Sequence, residues 1–257
     1  MLNPKELTKK IIINSYDSIS RLRFGKQKYI FLHSHMRARS TLLQSILCSS
    51  REITGDNEYH ISYQDYSGLD LLRWKLLRMN TKWKPFPKYA LDKINHSIHE
   101  INPSLFCDHN IFHIFLLRQP VDSIQSCVAR WGHKRSLNYF LNYYNRRVKD
   151  LVSLSELASQ SPNGYSYIES DTLIGKPKAT LHQLTKYLNL CYPLSPMYKR
   201  ETSLITNSAP NQENLLSNGK IVSKPRKHDN LISEEGFEEL WLSYQAAHKE
   251  LKDKSQL

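Results

Sequence analysis

Arg37, Arg39, Ser40 and Thr41, together with Arg118 and Ser126 some eighty residues on, are the side chains of this sequence whose types and spacing could hold anions. The first group stands in Met36-Arg37-Ala38-Arg39-Ser40-Thr41, between an apolar run over 28–34 and a helical pattern of Leu42, Leu43, Ile46 and Leu47. A helix that starts there brings guanidinium forks, hydroxyls and unused backbone N–H groups into one small volume. In the second group Arg118 ends the apolar run 112–117, Pro120 suits a first helical position, and Ser126 follows on the same helix. Two anion sites imply a ligand with two anionic ends. A kinase-type P-loop needs G-x-x-x-x-G-K-[ST], and no glycine lies between Gly25 and Gly55.

These motifs resemble those of sulfotransferases that use 3′-phosphoadenosine 5′-phosphosulfate (PAPS). In that family a strand, a loop of the form Pro-Lys/Arg-Ser-Gly-Thr-Thr and a helix hold the 5′-phosphosulfate, and residues 36–41 are similar to that loop. A later Arg-x-Pro, with a Ser eight positions after the Arg, holds the 3′-phosphate, and Arg118, Pro120 and Ser126 keep that spacing. The resemblance implies that Arg37 stabilises the leaving phosphate. It also implies that Ala38, Arg39, Ser40 and Thr41 line the phosphosulfate and that Arg118 with Ser126 takes the 3′-phosphate. Arg39 departs from the pattern, because most members have Gly there; its side chain either turns away from the ligand or joins it.

The same resemblance places the base. Glu58, in Gly55-Asp-Asn-Glu-Tyr-His60, lies about twenty residues past Arg37, similar to the base of the bacterial trehalose sulfotransferase branch. His60 is the alternative, since cytosolic members use a histidine later in the chain. Gly219 and Lys220, within Leu215-Leu-Ser-Asn-Gly-Lys-Ile221, resemble the late basic loop that closes over the nucleotide. The implied activity is transfer of the sulfuryl group of PAPS to a hydroxyl, with 3′,5′-adenosine bisphosphate as product and a carbohydrate, glycolipid or small molecule as acceptor. An inactive polyanion-binding relative, in which Arg39 blocks the loop, is the alternative, followed by an ATP-dependent kinase.

Positioning such groups takes an α/β fold: a mostly parallel central sheet flanked by helices, with a P-loop-like strand–loop–helix. A length of 257 residues suits one domain, with a helical extension over 1–25 and a polar loop over 202–231. Strands are expected over 28–34, 112–117 and 165–168, and helices from Leu42, from Pro120, over 137–160, from Pro177 and over 233–251. Residues 65–101 suggest two helices, carried by Leu69, Leu72, Leu76 and Leu77 and then by Leu91, Ile94, Ile98 and Ile101. The break between them, 82–88, is a candidate lid, and Trp74, Trp83, Phe86 and Tyr89 are candidates to stack on a sugar ring.

The net charge of +12 and pI near 9.4 favour polyanionic partners. Aromatics are not interleaved with the basic residues, so specific nucleic-acid binding is not expected, whereas peripheral contact with an anionic membrane is compatible with the N-terminal segment. Cys48, Cys107, Cys127 and Cys191 show no C-x-x-C and suggest buried thiols in a reducing, cytoplasmic compartment. Eleven histidines without H-E-x-x-H or clustered spacing give no metal site.

Overall fold

A computed structural model describes residues 7–15, 26–55, 57–79, 87–198, 219–221 and 237–256. Its centre is a parallel five-stranded sheet, β1 (Lys28–Ser34), β2 (Ile53–Thr54), β3 (Tyr89–Ile94), β4 (Ile111–Leu117) and β5 (Tyr165–Glu169), in the order β2-β3-β1-β4-β5. β1 and β4 are near-continuous apolar runs because helices cover both faces. β1 is central, paired with β3 on one side and β4 on the other. The strand order therefore reverses between β1 and β4, which is where open parallel sheets form their ligand crevice.

The helices are α1 (7–15), α2 (Ser40–Ser49), α3 (Tyr66–Met79), α4 (Pro103–Phe106), α5 (Pro120–Trp131), α6 (Leu137–Ser159), α7 (Ser170–Gly175), α8 (Pro177–Tyr187) and α9 (Glu238–Asp253). Alternation along β1 separates the layers. Ile30 and Leu32 pack with Leu43 and Leu47 of α2 and Leu181 and Leu184 of α8. Phe31 faces Leu69 and Leu72 of α3, while on that same face of β4 Phe115 meets Phe140 and Tyr144 of α6 and Leu240 of α9. Pro opens α4, α5 and α8, and Ser136 caps α6 by accepting from Tyr139 N. After α9 the chain returns along the outer edge of β5: Gln256 N donates to Tyr165 O at 3.1 Å and Ser255 Oγ accepts from Tyr167 N at 3.0 Å.

Three expectations change. The segment around Leu91 and Ile94 is the strand β3, not a helix. Its charged residues Asp92 and Lys93 break the apolar run, yet both are buried, Asp92 by accepting from Tyr63 Oη at 2.5 Å and from Tyr59 N at 3.2 Å. Tyr89 is core, its hydroxyl donating to Leu188 O at 2.5 Å, while Trp83 and Phe86 lie outside the described residues. Cys48 and Cys127 are buried free thiols, but Cys107 and Cys191 are exposed. Ser233 and most of 202–231 also lie outside the described residues. α1 buries Ile13 and exposes Leu7, Ile11 and Ile12, and among the described residues no helix is long and apolar enough to cross a membrane.

Candidate active site

The loop 35–39 joins β1 to α2 through two left-handed residues, Arg37 (φ 65°) and Arg39 (φ 66°). That conformation costs a non-glycine residue about 1–2 kcal/mol, so the surroundings must hold it. Arg39 is the N-cap of α2 and makes no side-chain cap bond, which leaves the first N–H groups of the helix for a ligand. Its guanidinium turns to α7 instead, where Nη1 donates to Ser170 Oγ at 3.0 Å and to Asp171 Oδ1 at 2.5 Å. Of the two orientations open to Arg39, the structure shows the guanidinium bonded to α7, from where its charge still acts on Arg118.

Arg37 reaches the other motif. Its Nε donates to Ser126 Oγ at 2.8 Å, and its guanidinium lies 5.9 Å from the Trp131 ring. Arg118 sits beside it at the start of α5, donating from Nη1 to Arg37 O at 3.2 Å and from Nη2 to Asp122 at 2.6 Å. Arg118 is buried, and its Nε has no hydrogen-bond partner among the described residues, an unused donor of the kind that a buried anion would satisfy. Burial first, then the Arg39 charge, lowers the Arg118 guanidinium to about 10. Arg118 therefore remains a cation at neutral pH. Arg37, Arg118 and Ser126, eighty residues apart in sequence, thus converge where two helices begin on opposite faces of the sheet.

His35 orders this junction. Arg118 N donates to its Nε2 at 3.1 Å, so the ring proton must be on Nδ1, which faces Met36 O at 3.0 Å. Burial holds the imidazole neutral, with its pKa lowered to about 3. From α6, Tyr143 Oη accepts from Met36 N at 2.9 Å and donates to Asn95 O at 2.6 Å. One turn on, buried Arg147 donates to Ser34 O at 3.0 Å and Ile94 O at 2.7 Å, tying together the ends of β1 and β3.

Glu58 comes to the same place from the opposite side. Its Oε2 accepts from Asn95 Nδ2 at 3.0 Å and lies 3.8 Å from Lys93 Nζ. Asn95 Oδ1 in turn accepts from Ser34 Oγ and, at 3.3 Å, from Ser40 Oγ, while Lys93 Nζ reaches Thr41 Oγ1 at 3.4 Å. Glu58 Oε1 is buried without a hydrogen bond among the described residues and lies 3.9 Å from His96 Nε2. Burial lowers the His96 pKa, against the opposing pull of Glu58, which favours the neutral imidazole at this contact. His60, exposed at φ 51°, faces His99 at 3.2 Å. Lys93, Asn95, His96, Tyr143 and Arg147 are the site residues missed from sequence. Lys93 lies in a strand taken for a helix and Asn95 and His96 follow its end, and their signal was a polar cluster at the C-terminal end of a parallel strand.

Gly219 and Lys220 pair with the segment 196–198: Tyr198 N donates to Gly219 O at 2.9 Å, and Gly219 (φ 58°) takes the left-handed form. Their described bonds are to that segment, not to the loop or Arg118. Among the described residues no cluster of His, Cys, Asp and Glu is arranged to hold a metal.

The architecture so far is a parallel α/β sheet with a P-loop-like strand–loop–helix at its switch point. The fold is that of the sulfotransferases. The sulfotransferase domain from the curacin biosynthetic pathway aligns with a TM-score of 0.51 over 88% of this chain and 98% of its own, at 16% identity. Mouse sulfotransferase SULT7A1, solved as a complex with PAP, aligns with a TM-score of 0.50 over 95% of this chain and 90% of its own, at 12% identity. No family model and no curated protein matches the sequence.

Proposed function

We propose that this protein is a sulfotransferase that takes the sulfuryl group from PAPS and passes it to a hydroxyl, most suitably on a carbohydrate or another small polyol-bearing acceptor. The observation that carries this reading is the convergence of Arg37, Ser126 and buried Arg118, with its unpartnered Nε, on the two adjoining helix starts. A bisphosphorylated nucleotide fits that donor set, with its 5′ end on the start of α2 and Arg37 and its 3′-phosphate on Arg118 and Ser126. PAPS supplies the sulfuryl group, whose bond to the 5′-phosphate oxygen breaks as the acceptor oxygen bonds to sulfur. Arg37 then faces the charge that builds on the phosphate, in the manner of a preorganised cation.

The acceptor's proton goes to the other side of the site. Glu58, oriented by Asn95 and Lys93, is the base in this reading, with His96 beside its unbonded oxygen as the route by which the proton leaves. His60 points to His99 and serves the rim of the acceptor side. Calorimetric titration with 3′,5′-adenosine bisphosphate, ADP and ATP is the test. The expected result is a preference for the bisphosphate that Arg118→Ala abolishes, followed by transfer from labelled PAPS to a panel of hydroxyl acceptors. A wild-type chain that binds the bisphosphate no better than ADP would sink the reading.

A further inference from the structure

The Arg39 side chain has no part in the chemistry just proposed, yet it makes a short charged contact with Asp171. It sits on a left-handed residue (φ 66°, ψ 23°) at the N-cap of α2, a conformation that glycine adopts freely and other residues resist. Its guanidinium is held by Ser170 Oγ and Asp171 Oδ1 at the end of β5, and the side chains of Arg39 and Asp171 are 22% and 44% exposed, so water screens the pair incompletely. Arg37, the loop's other left-handed residue, is anchored separately, through Ser126 of α5. The loop is thereby pulled toward β4 by one arginine and toward β5 by the other.

We propose that Asp171 is a positioning residue for the phosphate-binding loop: by latching Arg39 against the start of α7, it stabilises the left-handed turn that aims the first N–H groups of α2 at the donor. The inference rests on the nucleotide reading for its functional consequence, but not for the latch itself. An arginine in this place then does through its side chain what a glycine would do through its backbone. Asp171 is the partner that makes the substitution tolerable. Because Asp171 is 44% exposed, truncating it leaves no buried hole.

Two measurements on the full chain test this. The first is hydrogen exchange of the loop amides without nucleotide, since Ala38 N donates to His35 O and Leu42 and Leu43 N to Arg39 O. Asp171→Ala and Arg39→Ala are expected to speed that exchange roughly tenfold, as when a loop closed in about nine molecules in ten becomes closed in about one in ten. The second is affinity for 3′,5′-adenosine bisphosphate. Each of those variants is expected to weaken it roughly tenfold by the same population shift, and Arg39→Gly in the Asp171→Ala background is expected to recover most of the loss. Unchanged exchange in Asp171→Ala overturns the latch, as does a double variant that stays as weak as Asp171→Ala. Tighter binding by Asp171→Ala also overturns it, because that is the result if Arg39 acts on the ligand directly. If the wild type binds no bisphosphate, the nucleotide reading fails while the exchange measurement still decides the latch.

Discussion

Glu58 has one oxygen engaged by Asn95 and Lys93 and the other facing His96 without a hydrogen bond. That asymmetry suits a group held in place by one edge and reactive at the other. Glu58→Gln is expected to cut turnover by about 10²–10³ while leaving nucleotide affinity within about twofold, a split that a transfer assay and calorimetry read separately. His96→Ala should cost turnover too, whereas His60→Ala should change mainly the acceptor KM. At the other end of the site, Arg118→Lys is expected to lose at least about tenfold in bisphosphate affinity. A point-charge ammonium cannot give one donor to Asp122, one to Arg37 O and a third to an anion in one plane.

Among the elements, the strand–loop–helix units of β1 and β4 were legible because an uninterrupted apolar run, a basic turn and an apolar stripe each have a local signature. Arg37, Arg118 and Ser126 were proposed from those signatures, and the structure brings them together. β3 was not, because the burial of Asp92 and Lys93 is a tertiary fact: their partners Tyr63 and Glu58 lie in other segments. Asn95 and His96 were lost with it, and Glu58 was found only through its resemblance to a family pattern. Tyr143 and Arg147 gave no signal at all, being polar residues on a long helix whose role is to bond backbone groups across the fold. Arg147 is the clearest case. It offers two charge-assisted bonds to strand-end carbonyls, each worth about 1.5–3 kcal/mol, so Arg147→Ala is expected to destabilise the protein by about 3–5 kcal/mol in urea unfolding. Arg147→Lys, which cannot span Ser34 O and Ile94 O together, should recover less than half of that.

On the scale of the whole molecule, acid sensitivity follows from histidines buried without charge. Burial lowers His35 and His113 to about 3 and His33 well below its ordinary value. Each group binds a proton in the unfolded chain below about pH 6.5 that the folded chain refuses. The stability they contribute is therefore present above that pH and is lost as pH falls toward the folded values. Asp92 works in the opposite direction: burial raises it to about 6, so between its unfolded value and pH 6 the folded chain holds the extra proton. Near pH 5 these four groups together leave unfolding taking up about two protons. The unfolding free energy from urea titrations is then expected to fall steeply from pH 6 to pH 4, by about 3 kcal/mol per pH unit. His113→Asn should flatten that slope by about a third to a half, and a profile level across this range would contradict the assignment.

The last residues of the chain, lying along β5, have a meaning for solubility. A strand at the rim of a sheet offers a row of unpaired N–H and C=O groups to any passing strand of another molecule. Here Ser255 and Gln256 occupy two of those groups, on Tyr167 and Tyr165. Their segment acts as a short guard rail, held down from within by Tyr165 Oη, which donates to Leu251 O at 2.9 Å. Deleting Ser255 and Gln256 would bare the rim without touching the candidate site, and the expected cost is colloidal: rising light scatter on storage or warming, in a protein that is still folded.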